Sequence, residues 1–435
     1  MLIAVVILLL AVSQLARADG CVKILATGDF GTLDFGRHLS SWFNAQAGPH
    51  TLGCSHRASA VFLLGDNFYN YGVESTSDSL WTTIYEQQFN GPNIKKIPHY
   101  VVAGNHDHYS RVGITAELQY ASTRPGTPWT FPSNYYSKII RHGNLTIYCV
   151  FIDTWDLIGG DSETASGRRL DSNEKGQHGH EHHGNVEKGR RRLRGSQSKS
   201  SKKRRRLEQS IVDLKQLQWI ESQISSVEAQ SADWLLVIGH YPVRSAALGH
   251  SDTQALVKDL EPLLLKYKVD AYLAGHDHVS QILKNNGIVY YGNGAGGQLH
   301  AGKDSTHPSL VEFVENTFGF FSHVFNSTCL VTRIHYEDLT TSKETIVEYV
   351  QPKQQRIVTK SPSSSAPTLA PSASSPSSSS LTSMSPSSSS PLSTSSPSST
   401  TSPASSVATV SPSSSSEELH YLGWTWASLL ESFHN

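Results

Sequence analysis

The chain contains 435 residues, and its 36 Lys and Arg residues nearly balance its 37 Asp and Glu residues, which gives a formal net charge of −1 at pH 7. This balance gives no basis for a nucleic-acid partner, which a strongly basic chain would suggest. Residues 19–359 are long enough to form one large α/β domain.

Residues 1–18 are typical of a cleaved secretory signal peptide. An apolar stretch covers Leu2–Val12, and Ala16-Arg17-Ala18 supplies a small-residue cleavage site. The apolar run is too short for a comfortable membrane span, so no transmembrane span is expected in the mature chain. We therefore expect a secreted, extracellular or vacuolar-lysosomal protein.

Five polar motifs each follow an apolar run that glycine closes, and such runs predict buried strands. In chain order the motifs are Gly28-Asp29-Phe30-Gly31, Gly65-Asp66-Asn67-Phe68-Tyr69, Gly104-Asn105-His106-Asp107, Gly239-His240-Tyr241-Pro242 and Gly275-His276-Asp277-His278. Open α/β sheets build their sites at the carboxyl ends of strands, so we expect the motifs to form one site. Strands that alternate with helical patterns predict two packed sheets sheathed by helices.

A polar insert at 159–206 separates the third motif from the fourth. It carries two basic clusters, Arg190–Arg194 and Lys202–Arg206, four histidines between 178 and 183, and almost no apolar residues. This composition predicts disorder. The histidines leave a metal-binding tract open, although a solvated low-complexity segment is the favoured interpretation.

Two amphipathic helices and a glycine-rich segment surround the later motifs. Residues 208–229 carry a helical stripe, and Ser251–Gln254 resembles a capping box before a second helix. Their predicted core residues are Ile211, Leu214, Ile220, Ile224, Val227, Leu256, Leu260, Leu263 and Leu264. Gly292–Gly297 follows a strand without a Lys-Ser/Thr pair, so it predicts a close backbone approach near the site rather than a nucleotide loop.

The C-terminal part differs in composition from the rest. Residues 360–416 are rich in Ser, Pro and Thr and predict a glycosylated stalk or spacer. Residues 417–435 regain aromatic and apolar side chains, which leaves a partner-binding segment or a disordered end open.

Four cysteines remain after signal cleavage: Cys21, Cys54, Cys149 and Cys329. In an oxidising compartment they can form two bridges, with three possible connectivities. Cys149 lies in an apolar run, which also fits a buried free thiol. The sequons at Asn144 and Asn326 fit a glycosylated, secreted surface.

The motif side chains offer oxygen and nitrogen ligands but no thiolate, a set that suits Fe, Zn, Mn or Mg. Two such metals about 3.5–4 Å apart suit the hydrolysis of phosphate esters. Each motif alone is most often a simple turn or loop. Five in this order, each after an apolar run, predict a dinuclear metal site.

The order of the motifs along the chain and the residues in each motif resemble those of the calcineurin-like metallophosphoesterase superfamily. From Val22 to Tyr349 the chain resembles the small purple acid phosphatases of the tartrate-resistant type. Gly31 stands where many superfamily members have a histidine, and Tyr69 stands three residues after Asp66, as in the purple phosphatases. The resemblance implies a four-layer α/β/β/α sandwich of two mixed sheets.

The resemblance also implies a role for each site residue. Fe(III) is expected on Asp29, Tyr69 and His278, with Asp66 as the bridge. The second, divalent ion (Fe, Zn or Mn) is expected on Asn105, His240 and His276. His106 is expected to contact phosphate, and Asp107 and Asp277 are expected to orient imidazoles.

His250 is the candidate proton donor, although it lies one residue beyond the position that the family pattern gives and also fits an ordinary loop histidine. Together these residues imply a secreted acid phosphatase that hydrolyses phosphomonoesters through metal-bound hydroxide, with an acidic optimum. By the same resemblance, the insert corresponds to a loop that a protease cleaves to raise activity.

Three other functions stay open from the sequence. A phosphodiesterase or nucleotidase of the same superfamily is the first, and it is disfavoured by Tyr69. A wall- or matrix-associated binding protein is the second, with the stalk as the contact. Redox chemistry at an open iron site is the third.

Overall fold

The structure, a computed structural model, describes residues 20–110, 112–160 and 212–356. The predicted signal peptide at 1–18, nearly all of the insert at 159–206, the stalk at 360–416 and the tail at 417–435 lie outside the described residues. The described residues contain no helix with both the length and the apolar character that a membrane span requires.

In the described ranges, fourteen strands form two seven-stranded sheets. In chain order they are β1 (Val22–Thr27), β2 (Ala60–Leu63), β3 (His99–Val101), β4 (Trp129–Thr130), β5 (Tyr136–His142), β6 (Leu145–Phe151), β7 (Trp234–Ile238), β8 (Ala271–Ala274), β9 (Ser280–Asn285), β10 (Ile288–Asn293), β11 (Leu310–Val314), β12 (Gly319–Phe325), β13 (Cys329–Asp338) and β14 (Lys343–Pro352). The first sheet has the order β14-β13-β12-β1-β2-β3-β4, and the second has the order β11-β9-β10-β8-β7-β6-β5.

Both sheets are mixed. In the first, β1, β2, β3 and β4 are parallel, and β12 joins the edge of β1 in antiparallel register. In the second, β6, β7, β8 and β10 are parallel. All five predicted strand-and-motif units therefore enter parallel parts of the sheets, where the carboxyl ends of the strands share one edge.

The alternation of side chains along β6 and β7 shows how the layers pack. Ile147, Cys149 and Phe151 join the core between the two sheets, whereas Tyr148 and Val150 join the core under the helices of the second sheet. Strands that are covered on both faces are apolar on both, which explains the continuous apolar runs in the sequence. The predicted fold of two packed mixed sheets with outer helices is confirmed.

The α-helices are short. They span Asp34–His38, Ser40–Gln46, Asn105–Tyr109, Gly113–Thr123, Thr154–Ile158, Leu214–Ile224, Val227–Ser231 and Glu261–Lys266, and π-helical segments cover Trp81–Glu86 and Leu256–Leu260. Ile220, Ile224, Leu256, Leu260 and Leu264 are buried as predicted, and Leu263 is partly buried.

Two details of the helix prediction are wrong. The helix predicted at 208–229 divides into two helices capped by Asp213 and Ser226, which leaves Leu214 60% and Val227 76% exposed. The capping box predicted at Ser251 does not form, because that residue adopts a positive φ of 62°. Ile211 lies outside the described residues.

Among the described residues, one disulfide joins Cys21 to Cys54, which resolves the pairing that the sequence left open. Cys149 is a free thiol buried between the sheets, and the free Cys329 accepts a hydrogen bond from the Asn326 side chain.

The two sequons differ in exposure. Asn144 lies in the exposed turn between β5 and β6. Asn326 is only 7% exposed and its side chain binds Thr328 and Cys329, so this geometry disfavours a glycan there.

Candidate metal centre

The carboxyl ends of β1, β2, β3, β7 and β8 bring the seven predicted metal ligands together. The first sheet supplies Asp29, Asp66, Tyr69 and Asn105, and the second supplies His240, His276 and His278. Their donor atoms form two neighbouring groups, and these groups share one carboxylate.

The first group surrounds the Tyr69 hydroxyl. That oxygen lies 3.0 Å from Asp29 Oδ1, 3.0 Å from Asp66 Oδ2 and 3.2 Å from His278 Nε2. His278 Nε2 is also 3.4 Å from Asp29 Oδ1. When ligand atoms each lie about 2.0–2.2 Å from one metal ion, they are separated from one another by distances similar to those in this group. The group therefore fits a metal ion.

The second group surrounds the side-chain oxygen of Asn105. Asn105 Oδ1 lies 3.1 Å from His240 Nε2 and 3.1 Å from His276 Nδ1. His240 Nε2 is 3.4 Å from Asp66 Oδ1. The two oxygens of Asp66 therefore face different groups, which is the geometry of a carboxylate that bridges two metal ions.

Backbone contacts fix the orientation of these ligands. His240 Nδ1 lies 2.9 Å from the carbonyl oxygen of Leu64, so it carries the proton and leaves Nε2 free to bind a metal. The backbone N–H of His276 donates to Asp29 Oδ2 at 2.8 Å. The second contact connects the end of β8 to the end of β1 across the two sheets.

Three of the ligands adopt a backbone conformation that is unfavourable for residues other than glycine. The φ values are 58° for Asp29, 51° for Asp66 and 68° for His276. Such residues are uncommon and cluster at functional sites, where the surrounding structure holds them in place. Each one turns its side chain from the end of a strand into the centre.

The backbone of the Tyr69 loop occupies the space beside Gly31. A Cβ atom at Gly31 would lie 2.7 Å from the backbone nitrogen of Phe68 and 2.8 Å from that of Tyr69. A histidine therefore does not fit at position 31, and the Tyr69 hydroxyl supplies an oxygen donor atom to the same group.

The carboxylates of the centre are buried, and burial disfavours their charged forms unless cations are bound nearby. Asp29 and Asp66 are buried, and no Lys or Arg pairs with either one in the part of the chain that the structure describes. Burial raises the pKa of Asp29 well above its usual range, and the charge of Asp66 raises it further. Burial and the same two carboxylates raise the pKa of Tyr69. Bound metal cations reverse these effects, because they stabilise carboxylate and phenolate ligands.

His106 lies beside the centre, and its ring packs 4.4 Å from the ring of Tyr69. Its Nδ1 lies 2.7 Å from the carbonyl oxygen of Asn70, which places the proton on that nitrogen. Its Nε2 then faces the centre, 3.9 Å from Asp66 Oδ2.

His250 lies beside His276 and is exposed. Its ring is 4.9 Å from that of His276, and its Nδ1 is 3.5 Å from Asp277 Oδ1. Asp277 thus faces an imidazole, as expected.

The prediction that Asp107 orients an imidazole is wrong. Its carboxylate accepts hydrogen bonds from the backbone N–H groups of Gly104, Asn67 and Phe68, at 2.8, 2.9 and 3.2 Å. Asp107 therefore holds the loops after β2 and β3 together, and among the described residues it makes no hydrogen bond to an imidazole.

Tyr109 and His300 are neighbours of the centre that were not among the predicted site residues. Tyr109 Oη accepts a hydrogen bond of 3.0 Å from Asn105 Nδ2, and the spacing of four residues on one helix is the signal that predicts this contact. His300 lies 5.1 Å from His250 and 6.0 Å from His278, measured between ring centroids. It follows the glycine-rich segment, which approaches the site through the bond from the N–H of Gly28 to the carbonyl of Asn293, as predicted.

Comparison with known proteins agrees with this geometry. The family model for calcineurin-like phosphoesterase matches residues 22–280. The mouse (Mus musculus) tartrate-resistant acid phosphatase type 5 is 31% identical over 331 residues, which cover 73% of this chain and 86% of the mouse protein. Purple acid phosphatase 17 of Arabidopsis thaliana is 26% identical over 316 residues, or 71% of this chain and 79% of that protein.

Among solved structures, Plasmodium GAP50, described as the anchor in the inner membrane complex, aligns with a TM-score of 0.57 and 21% identity. The alignment covers 78% of this chain and 90% of GAP50. This likeness shows the fold. From the family model and the mouse relative together, the chain belongs to the calcineurin-like phosphoesterase family and, within it, to the purple acid phosphatases.

Proposed function

We propose that this protein is an acid phosphatase that hydrolyses phosphomonoesters at a dinuclear Fe(III)–M(II) centre. The observation that carries the proposal is the division of Asp66 between two donor groups, one around Tyr69 and one around Asn105. The phosphatase names of the mouse and Arabidopsis relatives support the same reaction.

The chemistry of the donors supports different metals in the two groups. Asp29, Tyr69 and His278 would hold Fe(III), because a hard, highly charged ion favours a phenolate oxygen. Asn105, His240 and His276 would hold a divalent ion (Fe, Zn or Mn), and Asp66 would bridge. When bound, the metal pair neutralises phosphate charge and activates the attacking water near the enzyme's working pH.

The surrounding residues would handle the substrate. His106 directs Nε2 into the centre while its Nδ1 is held by Asn70, so it can donate a hydrogen bond to a phosphoryl oxygen only when Nε2 is also protonated. His250 stands beside His276, where a protonated imidazole can give its proton to the departing alkoxide or phenoxide. Asp277, 3.5 Å from His250 Nδ1, would orient that imidazole.

A pH–rate profile for an aryl phosphate monoester tests the proposal directly. The purified, metal-loaded full chain would be assayed beside a phosphodiester, with Asp66→Ala as the inactive control. Acidic turnover of the monoester that the control lacks supports the proposal. Preference for the diester would identify a phosphodiesterase, and a folded, metal-loaded chain without turnover would favour a binding protein.

We further propose that the chain follows the secretory route. The Cys21–Cys54 disulfide supports this proposal, because such bonds persist in oxidising compartments. The exposed sequon at Asn144 is compatible with it. Contact of the stalk with a wall or matrix stays a prediction.

We also propose, from the family resemblance, that proteolysis of the insert regulates activity. The N–H of Val212 donates to the carbonyl of Leu157 at 2.9 Å, so the described residues on both sides of the insert are in contact. Leu157 belongs to the same short helix as Thr154, whose hydroxyl accepts hydrogen bonds from the backbone of His240 and Tyr241. Limited trypsin cleavage followed by the phosphatase assay tests the idea, and an unchanged rate after cleavage would contradict it.

A further inference from the structure

The mouth of the metal centre holds an imidazole that none of the five motifs contains. His300 follows the glycine-rich segment after β10, and its ring lies between those of His250 and His278. The planes of His300 and His250 meet at 87°, and those of His300 and His278 at 41°. The three rings therefore border one common space.

The backbone fixes His300 in this place. Its N–H donates to the carbonyl of His278 at 2.9 Å, and its own carbonyl accepts from the N–H of Asn316 at 3.4 Å. The next residues are also held, because the N–H of Leu248 donates to the carbonyl of Gly302 at 2.9 Å. The segment that carries His300 is thus bound to the segment that carries His250.

The ring itself is left available. Within the described ranges, neither ring nitrogen of His300 has a hydrogen-bond partner, and the residue is half-buried. The backbone of His300 is fixed, whereas its ring has no hydrogen-bond partner. Such a residue is a preorganised binding group, because its backbone loses little conformational entropy when a ligand binds. The acceptor that this position would meet is an oxygen of a phosphate ester at the neighbouring centre.

We propose that His300 is a substrate-binding residue, which donates a hydrogen bond to a phosphoryl or ester oxygen of the bound monoester from the His278 side. This inference rests on the proposed phosphatase function. His300 would act beside His250 but with a different effect: His250 would serve proton transfer, and His300 would serve binding and orientation.

The test compares three full-length, metal-loaded variants with the wild type: His300→Ala, His300→Gln and Lys303→Ala. Glutamine retains an N–H donor at a similar reach. Lys303 is an exposed cation on the same segment, and its bridge to Ala247 uses the backbone, so Lys303→Ala removes the local charge and its contact with the Phe313 ring but keeps that bridge. Inorganic phosphate binding is measured by calorimetry, KM and kcat with an aryl phosphate, and metal content by elemental analysis.

We expect His300→Ala to weaken phosphate binding and raise KM by about 10-fold or more, as expected for a lost hydrogen bond to a charged group. Metal content should not change, and kcat should fall less than KM rises. His300→Gln should stay within about 3-fold of the wild type, because it keeps a donor. Lys303→Ala should match the wild type.

Unchanged phosphate affinity in His300→Ala would overturn the inference. An equal loss in Lys303→Ala would also overturn it, because surface charge would then explain the effect. A wild type that binds phosphate through His300 but hydrolyses no monoester would leave the inference standing and reject the proposed function. A metal-loaded wild type that binds no phosphate would reject the inference whatever the turnover assay shows.

Discussion

The backbone N–H of Tyr69 donates a hydrogen bond of 3.1 Å to the carbonyl oxygen of Gly31. Through this contact, the residue type at position 31 and the position of the tyrosine side chain depend on each other. A side chain at 31 would displace the loop, and a displaced loop would move the hydroxyl away from Asp29, Asp66 and His278. The glycine at position 31 and the place of the tyrosine hydroxyl in the donor group therefore depend on the same backbone contact.

Substitution of Gly31 by alanine should disturb the centre. The added methyl group meets backbone nitrogens at 2.7–2.8 Å, and such overpacking typically costs about 1–3 kcal/mol. We expect lower stability and reduced phosphatase activity. Gly126→Ala is the control, because a Cβ atom at Gly126 would meet nothing within 4 Å. The only cost expected for this variant is that alanine adopts the positive φ of this position less readily than glycine. Full activity in Gly31→Ala would contradict the prediction.

Tyr69→Phe tests the phenolate ligand with little change in packing. A tyrosinate bound to Fe(III) gives a visible charge-transfer band, so the wild type should be coloured and the variant colourless. Loss of colour with retained iron identifies Tyr69 as the source of the band. A variant that keeps the band would show that another group binds the iron, and a colourless iron-loaded wild type would reject the assignment.

Asp66→Asn should affect both metal sites at once. The two oxygens of Asp66 face different donor groups, and loss of the negative charge weakens both. We expect metal content to fall from two ions per chain towards one or none, and activity to fall at least about 100-fold, since even outer partners of metal ligands cost about 10–100-fold. Full occupancy of both sites in the variant would exclude the bridging role.

The role of His250 depends on the leaving group. If it donates a proton, His250→Ala should slow hydrolysis of an alkyl phosphate by about 100-fold but change hydrolysis of a nitrophenyl phosphate far less. Asp277→Asn should give a smaller effect in the same direction, because that carboxylate only orients the ring at 3.5 Å. Equal losses for both substrates would indicate a binding role instead.

Buried neutral histidines should lower stability at acidic pH. His99 is enclosed beside Tyr85, and burial lowers its pKa to about 4 from an ordinary value of 6.5. Below pH 6.5 the unfolded chain takes up a proton that the folded chain does not. Stability should therefore fall between pH 6.5 and about 4, by up to about 1.4 kcal/mol per pH unit for one such group.

His99→Gln removes that titrating group. Its unfolding free energy, measured in urea at pH 7 and pH 5, should change less with pH than that of the wild type, although the variant is less stable at pH 7. His50→Gln, which alters an exposed imidazole, is the matched control. An identical pH dependence in His99→Gln and the wild type would refute the prediction.

The sequence predicted the strands and their motifs because these features are local. Each motif follows an apolar strand directly, and the strand end delivers Asp29, Asp66 or His240 without reference to the rest of the chain. Gly31 and Tyr69 each lie inside one of these local motifs, so the sequence identifies the purple phosphatase pattern.

Other features depend on contacts that a linear pattern does not contain. The pairing of Val22 with Phe325 extends the first sheet beyond β1 with a strand from a distant part of the chain. Long-range packing also decides that Cys21 meets Cys54 and that Asp107 binds the backbone of Asn67. His300 belongs to no motif, and long-range backbone bonds to His278 and Asn316 hold it at the site.

The two sheets contribute their ligands from distant parts of the chain. Asn105 and His240 meet although 135 residues separate them in sequence. During synthesis, the donor residues that follow β1, β2 and β3 leave the ribosome well before those that follow β7 and β8. The segment made first therefore holds only part of each donor group. The complete pair of metal sites is therefore expected to form late in biogenesis, after both halves have been made and docked, so metal retention reports that docking is complete.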